Sequence, residues 1–589
     1  MVVPDDALTA PTLCAAFQLT AAAGGDRPAL LTYGCDEAVT WTEYAQRVRA
    51  VATGLSALGV CPGQTVALLL RNRPAFNVVD TAVLHLGAVP FSIYHTEPVE
   101  QMLALALDSG AEVLVTEPGF LERALAVADA TDRLRHVVVD GEPGAARDRV
   151  TTLADVERLD APGFDFAAAW RAVTPESIAT LVYTSGTTGA PKAVQIPHRA
   201  VMHSLSGSVA LAPCRTPHRG ISFLPAAHIT DRFICHYTTI GLGGTLTSVP
   251  DPADLWDAIA DVRPTRFFGV PRTYEKLLDR ARAVIDTNPE LQAALETGFA
   301  RVRAEQSGTE LDHGAAARAA EANDRLQVVR EHLGLDQAEW VTVAAAPSSY
   351  AVLEFHHAIG LNLAELWGMS EFMMAIMNPV DRVKLGTVGV PLASVEARLA
   401  DDGELLLRGA HACAGYRNDP EKTAAMLDAD GWAHSGDLAS VDEDGYFRII
   451  GRKKEQMINS SGKNLFPAKI EAAIAESSPL IGYIATIGDR RRFVTALITI
   501  DPVGLRAFAA QHGLDGTHAA LAAMPEVQAE IARAVAAGNE KLARVEQVRG
   551  WTVLDVEWHP GGEEVTSTMK LRRKAIDEKY AAEIEALYA

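Results

Sequence analysis

YTSGTTGAPKAVQIPH, residues 183 to 198, follows directly on the apolar run IATLVY at 178 to 183. A buried strand therefore opens into two glycines, two pairs of hydroxyl side chains and one lysine. Backbone N–H groups, hydroxyls and the Lys192 ammonium can converge there on a polyphosphate. The spacing is not that of a Walker loop, G-x-x-x-x-G-K-[ST], because Lys192 stands three residues after Gly189 and is followed by Ala193. Without context the stretch would read as a glycine-rich turn.

The same strand-to-helix pattern extends in both directions. VALLL at 66 to 70, VPFSIY at 89 to 94, EVLVTE at 112 to 117 and HVVVD at 136 to 140 read as buried strands, with a helix over Val99 to Ser109. Val48, Val51, Leu55 and Leu58 recur at helical spacing and stop at Gly59. GISFLP, TRFFGVP and WVTVAAAP resume the strands further on. Alternation of this kind predicts an α/β fold of stacked parallel sheets covered by helices. An Ala-, Glu- and Arg-rich stretch at about 289 to 334 predicts a helical insertion. After Gly386 short alternating strands take over, with a hairpin signal at Asp402-Gly403. We therefore expect a large N-terminal domain over 1–452 with a β-rich subdomain at about 386–452. A small α+β domain over 453–589 would hold a helix near 468–476, strands near 481–488 and 493–501, then helices to the end.

The 589 residues carry 53 Lys+Arg against 75 Asp+Glu, a formal charge of −22, which excludes a dense phosphate-backbone binder. With 48% hydrophobic and 22% charged residues the chain is globular. Six cysteines form no C-x-x-C pair, and the N-terminus lacks a basic region followed by an apolar run, so a cytoplasmic protein is expected. No apolar run reaches 18 residues, which argues against a transmembrane segment and leaves peripheral membrane contact open. Nothing indicates the oligomeric state.

Five further segments complete a set in fixed order: RPTRFFGVPRTYEKL (263–277), LAELWGMSE (363–371), GWAHSGDL (431–438), GYFRIIGRKKEQMINSSGKNLFPAKIE (445–471) and TSTMKLRRK (566–574). With the stretch at 183–198, they make the chain resemble the AMP-forming acyl-CoA synthetases, the adenylating superfamily that includes firefly luciferase and peptide-synthetase adenylation domains. LPAAHITDRF at 224–233 and the 289–334 insertion resemble the long-chain and very-long-chain branch.

The resemblance implies a role for each matching residue. Thr184, Ser185, Gly186, Thr187, Thr188, Gly189 and Lys192 would hold the β- and γ-phosphates of ATP. Glu371, beside Ser370, would be a Mg2+ ligand, since a hard cation favours carboxylate oxygen. Trp367 and Gly368 would lie along the adenine, although a Trp alone reads as core. Asp437 would accept the ribose hydroxyls, with Arg452 reaching the same sugar. Lys570 would stabilise the α-phosphate, although its run with Arg572, Arg573 and Lys574 alone reads as a solvated charge cluster. Lys454 falls on the hinge about which the mobile small domain turns. His228, Met369 and Phe372 are candidates for the acid pocket, His228 being equally readable as a structural histidine. His356-His357 has no ligand at metal spacing and reads as helix surface.

Two departures fall beside the acid pocket. Ala344 stands where the family commonly has Gly, and FMMAIM at 372–377 replaces a Thr/Ser-rich sequence. The implied activity is ATP-dependent ligation of a medium- or long-chain fatty acid to CoA. The alternatives are an aryl or other small oxyacid as substrate, or an amine or carrier-protein thiol as acceptor.

Overall fold

Five residues buried in succession, Thr65–Leu69, four of them apolar, make the middle strand of a seven-stranded sheet in the computed structural model, which describes residues 5–144, 147–184, 191–214, 217–566 and 569–589. The order is Val150–Thr152, His136–Val139, Val113–Thr116, Thr65–Leu69, Val89–Ser92, Ile178–Thr184, Lys192–Pro197. Helices Pro74–His85, Val99–Ser109 and Leu121–Asp129 supply crossovers between parallel strands of this sheet. A second sheet runs Arg266–Gly269, Trp340–Val343, Leu363–Met369, Met373–Met377, Val390–Pro391. A third joins Arg219–Ser222, Thr245–Ser248, Pro28–Thr32 and Ala38–Thr40.

Each of these sheets carries the expected parallel pairs and an antiparallel strand beside them. Lys192–Pro197, Met373–Met377 and Ala38–Thr40 return antiparallel, because a few residues suffice for a hairpin and not for a crossover. Val395–Leu399, Glu404–Gly409, Ala433–Val441 and Phe447–Arg452 follow as an antiparallel meander.

Residues 289–334 form helices Pro289–Gln306, His313–Arg325 and Gln327–His332 over a second apolar core. The first packs so closely on helix Tyr350–Ala358 that a Cβ on Gly298 would lie 2.2 Å from the Ala358 carbonyl oxygen. This contact corrects the reading of His356-His357 as surface: both rings are buried beneath the insertion. His356 Nδ1 pairs with the Val352 carbonyl at 2.8 Å and His357 Nε2 with that of Leu363 at 2.9 Å. Burial lowers His356 to about 4, so it is a neutral packing residue.

Beyond Arg452 lie strands Ile481–Ile487 and Val494–Ile500 and helix Pro467–Ala475. The chain does not then run as helices to the end. Val548–Val553 adds a strand parallel to Val494–Ile500. Among the described residues no helix is long and apolar enough to cross a membrane, and all six cysteines are free.

Candidate active site

Strand Ile178–Thr184 delivers Thr184 and strand Lys192–Pro197 begins at Lys192; the two residues pair directly across the ladder. The ends of the glycine-rich segment are thereby fixed side by side. Ser185, Gly186, Thr187, Thr188 and Gly189 lie outside the described residues. The Lys192 ammonium sits 4.9 Å from the centre of the Tyr416 ring.

Glu371 stands in the tight turn between Leu363–Met369 and Met373–Met377, next to the nearly enclosed Ser370. Its Oε1 accepts from the Tyr416 hydroxyl at 2.8 Å, and its backbone carbonyl accepts from Cys413 N–H at 2.9 Å. Burial first, and the Glu371 carboxylate second, push the Tyr416 phenol far above its ordinary value, so it remains a donor. Among the described residues no hydrogen bond reaches Glu371 Oε2. A carboxylate held by one oxygen, with no hydrogen bond on the other among the described residues, fits a magnesium ion.

Asp437 and Arg452 are register partners on neighbouring strands. Arg452 Nε lies 2.9 Å from Asp437 Oδ1, and Trp367 Nε1 donates to Oδ2 at 2.9 Å. Each carboxylate oxygen keeps a lone pair for a further donor. Burial still raises the Asp437 pKa above its ordinary value, against Arg452 and Trp367. Trp367 is 8% exposed and belongs to the main core, with Gly368 exposed beside it. The indole is thus a core residue and a fixed partner of the aspartate.

Lys570 reaches this cluster from the C-terminal end of the chain. Thr566 N–H donates to its carbonyl at 2.8 Å and its own N–H donates to Thr566 Oγ1 at 3.0 Å, which closes a tight turn. Lys570 is exposed, yet desolvation by the protein around it is the largest cause of a lowered pKa. Arg452 acts in the same direction; Asp437, Glu455 and Glu371 oppose it. Lys454 is exposed in the 3-10 turn Lys453–Glu455, whose neighbour Lys453 pairs with Asp402 at 2.5 Å and Glu404 at 2.9 Å.

His228 caps the short helix that follows it, accepting from Thr230 N–H at 3.1 Å through Nδ1. Burial first, then the Lys570 charge, lower it to about 4. The ring caps a helix, as a structural histidine does, and feels the Lys570 charge as a neutral imidazole. Met369 is half-buried, whereas Phe372 is fully enclosed and stacks on His411, so it lines no open cavity. The arginine of LPAAHITDRF is structural. Arg232 is fully buried against Asp80, with Ser92 Oγ at 2.7 Å and the Phe76 ring beneath it.

Asp231, 2% exposed, accepts from Ser222 at 2.9 Å, and burial pushes its carboxyl up from 3.8 to about 7. The folded chain then holds a proton that the unfolded chain has lost between pH 4 and 7, so stability falls as pH rises through that interval. Asp231→Asn removes this fall. Thermal unfolding should show the variant more stable than wild type at pH 8, by up to about 4 kcal/mol, with the gain vanishing near pH 4.

Ala345, one residue past the departure at Ala344, has φ +75°, a left-handed conformation that costs a Cβ. Ala345→Gly should raise stability by about 0.5–1 kcal/mol after allowance for the freer unfolded chain, read from the denaturant midpoint.

Sequence reading missed Tyr416, which lies in a Gly-Tyr turn 45 residues from Glu371 with no local signal of the contact. It also missed Glu365, two residues before Trp367, whose carboxyl burial raises to about 7. Strand alternation marks Glu365 and Trp367 as sharing a face.

The fold and this convergence of groups define an adenylating enzyme. Residues 17–417 match the family model described as AMP-binding enzyme, and residues 454–589 match that of its C-terminal domain. FadD11 of Mycobacterium tuberculosis, assigned as a fatty-acid–CoA ligase, is 43% identical over 72% of this chain and 76% of its own. The long-chain-fatty-acid–CoA ligase FadD15 of Mycobacterium bovis is 34% identical over 93% of this chain and 92% of its own. The adenylation domain of a carboxylate reductase from Mycobacterium chelonae superimposes with a TM-score of 0.77 at 22% identity, covering 100% of this chain and 94% of that one. The chain belongs to the AMP-binding enzymes and, within them, to the AMP-forming acyl-CoA synthetases of the long-chain branch.

Proposed function

We propose that the chain joins a medium- or long-chain fatty acid to CoA in two half-reactions. In the first, a carboxylate oxygen attacks the α-phosphorus of ATP. The acyl adenylate forms as the bond to the bridging oxygen breaks and pyrophosphate leaves. In the second, the CoA sulfur attacks the acyl carbonyl, the bond to AMP breaks, AMP departs and the thiol proton passes to solvent.

Thr184, the segment Ser185 to Gly189 and Lys192 hold the departing phosphates in this reading. Asp437 and Arg452 bind the ribose, Trp367 and Gly368 border the adenine, and Glu371 with Ser370 forms the magnesium site. The metal, when bound, supplies positive charge to phosphate oxygens. Lys570 stabilises charge on the α-phosphate in the transition state. His228 and Met369 border the acid, with Phe372 packed behind them. Residues 1–452 and 453–589 act as two domains that turn about Lys454 between the half-reactions. With ATP and CoA as co-substrates, the reaction is assigned to the cytoplasm.

The observation that carries this reading is a pair of anchored carboxylates from segments far apart in sequence: Asp437, held by Arg452 Nε at 2.9 Å and Trp367 Nε1 at 2.9 Å, and Glu371, held by the Tyr416 hydroxyl at 2.8 Å, both of which act on Lys570. The substrate class is supported by the names of the mycobacterial relatives. Acids of graded chain length and a set of aryl acids, each assayed for pyrophosphate release and thioester formation with and without CoA, test it. Selective turnover of aryl acids, or a thioester only with a carrier protein, would reject it.

A further inference from the structure

The phosphate-loop lysine and the magnesium carboxylate reach the site from different sheets, and one side chain touches both. The Tyr416 hydroxyl donates to Glu371 Oε1 at 2.8 Å while the face of its ring lies 4.9 Å from Lys192 Nζ. The surrounding backbone makes the link stiff. Ala414 N–H donates to the Gln195 carbonyl at 2.8 Å, Gln195 N–H to Gly415 at 3.0 Å and Arg417 N–H to Ala193 at 2.9 Å. Residues 414 to 417 thus lie along the strand that begins at Lys192. From the same segment Cys413 N–H holds the Glu371 carbonyl at 2.9 Å.

We propose that Tyr416 is a positioning residue that sets Glu371 for the metal and holds Lys192 beside it before the nucleotide arrives. The hydroxyl fixes one carboxylate oxygen and leaves the other available to a cation. Outer partners of this kind govern metal affinity by orienting the ligand. The ring holds the ammonium by its negative face, a contact without a directional hydrogen bond, so a polyphosphate can draw the lysine away. The two halves are separable: Tyr416→Phe keeps the ring and removes the hydroxyl, and Tyr416→Leu removes both.

The inference rests on the reading of Glu371 as the magnesium ligand, so Glu371→Gln serves as control. Mn2+ is titrated into the full-length enzyme with ATP and followed by the electron paramagnetic resonance of the free ion. Calorimetry follows ATP binding without metal. Tyr416→Phe should weaken Mn2+ binding roughly ten-fold or more and leave metal-free ATP binding unchanged, with pyrophosphate release recovering at high Mg2+. Tyr416→Leu should weaken metal-free ATP binding as well. If Glu371→Gln weakens Mn2+ binding and Tyr416→Phe does not, the positioning role is overturned. If Glu371→Gln has no effect, the metal reading itself falls. Equal metal-free ATP affinity in the two tyrosine variants would overturn the role of the ring.

Discussion

Lys570→Ala is expected to slow acyl adenylate formation by on the order of 10² or more, with little effect on thioester formation from a supplied adenylate. The ammonium lies where Asp437, Glu371 and Arg452 all act on it, and it stands on a turn closed by Thr566. In the proposed mechanism, removing it deletes a charge used when the carboxylate attacks the α-phosphorus, a step absent from the second half-reaction. Its lowered pKa adds a second signature. The ammonium deprotonates below the ordinary lysine value of 10.5, so adenylation should decline on the alkaline side earlier than a free lysine would allow. Pyrophosphate release in a single turnover, measured against pH, reads both effects. An equal fall in both half-reactions with folding intact would remove Lys570 from the adenylating step.

The second large effect is expected at Lys454. It occupies the second position of the 3-10 turn Lys453–Glu455, between Arg452 at the end of a strand and the small domain. A 3-10 residue has φ near about −60°, and the N–H groups of a first turn have no acceptor within it. Proline therefore fits the arrangement seen here, in which Lys570 faces the site, and fixes φ near about −65°. Lys454→Pro should still release pyrophosphate in a single turnover. Transfer from preformed adenylate to CoA should fall much further, because the proposed rotation needs backbone freedom at that residue. An unimpaired second step would place the hinge elsewhere.

The central strands were legible because parallel strands buried on both faces read as continuous apolar runs, as at Val66 to Leu69. Strand Val548–Val553 was not, since it is largely half-buried and carries Gly550, which interrupts both pattern and propensity. His356 and His357 looked like surface because burial by an insertion some fifty residues earlier leaves no local mark. The candidates Glu371, Asp437, Arg452 and Lys570 could be picked out from linear motifs. The bonds from Trp367 to Asp437 and from Tyr416 to Glu371 could not be read there, since each joins segments far apart in sequence that only the folded chain brings together.

Product stoichiometry with hexadecanoate, ATP, Mg2+ and CoA tests the central claim most directly. The enzyme should form one AMP and one pyrophosphate for each acyl-CoA. Without CoA it should give a single burst of pyrophosphate, about one per active site, with acyl adenylate retained on the protein. ADP and phosphate as products, or full turnover independent of CoA, would contradict an AMP-forming fatty acid–CoA ligase.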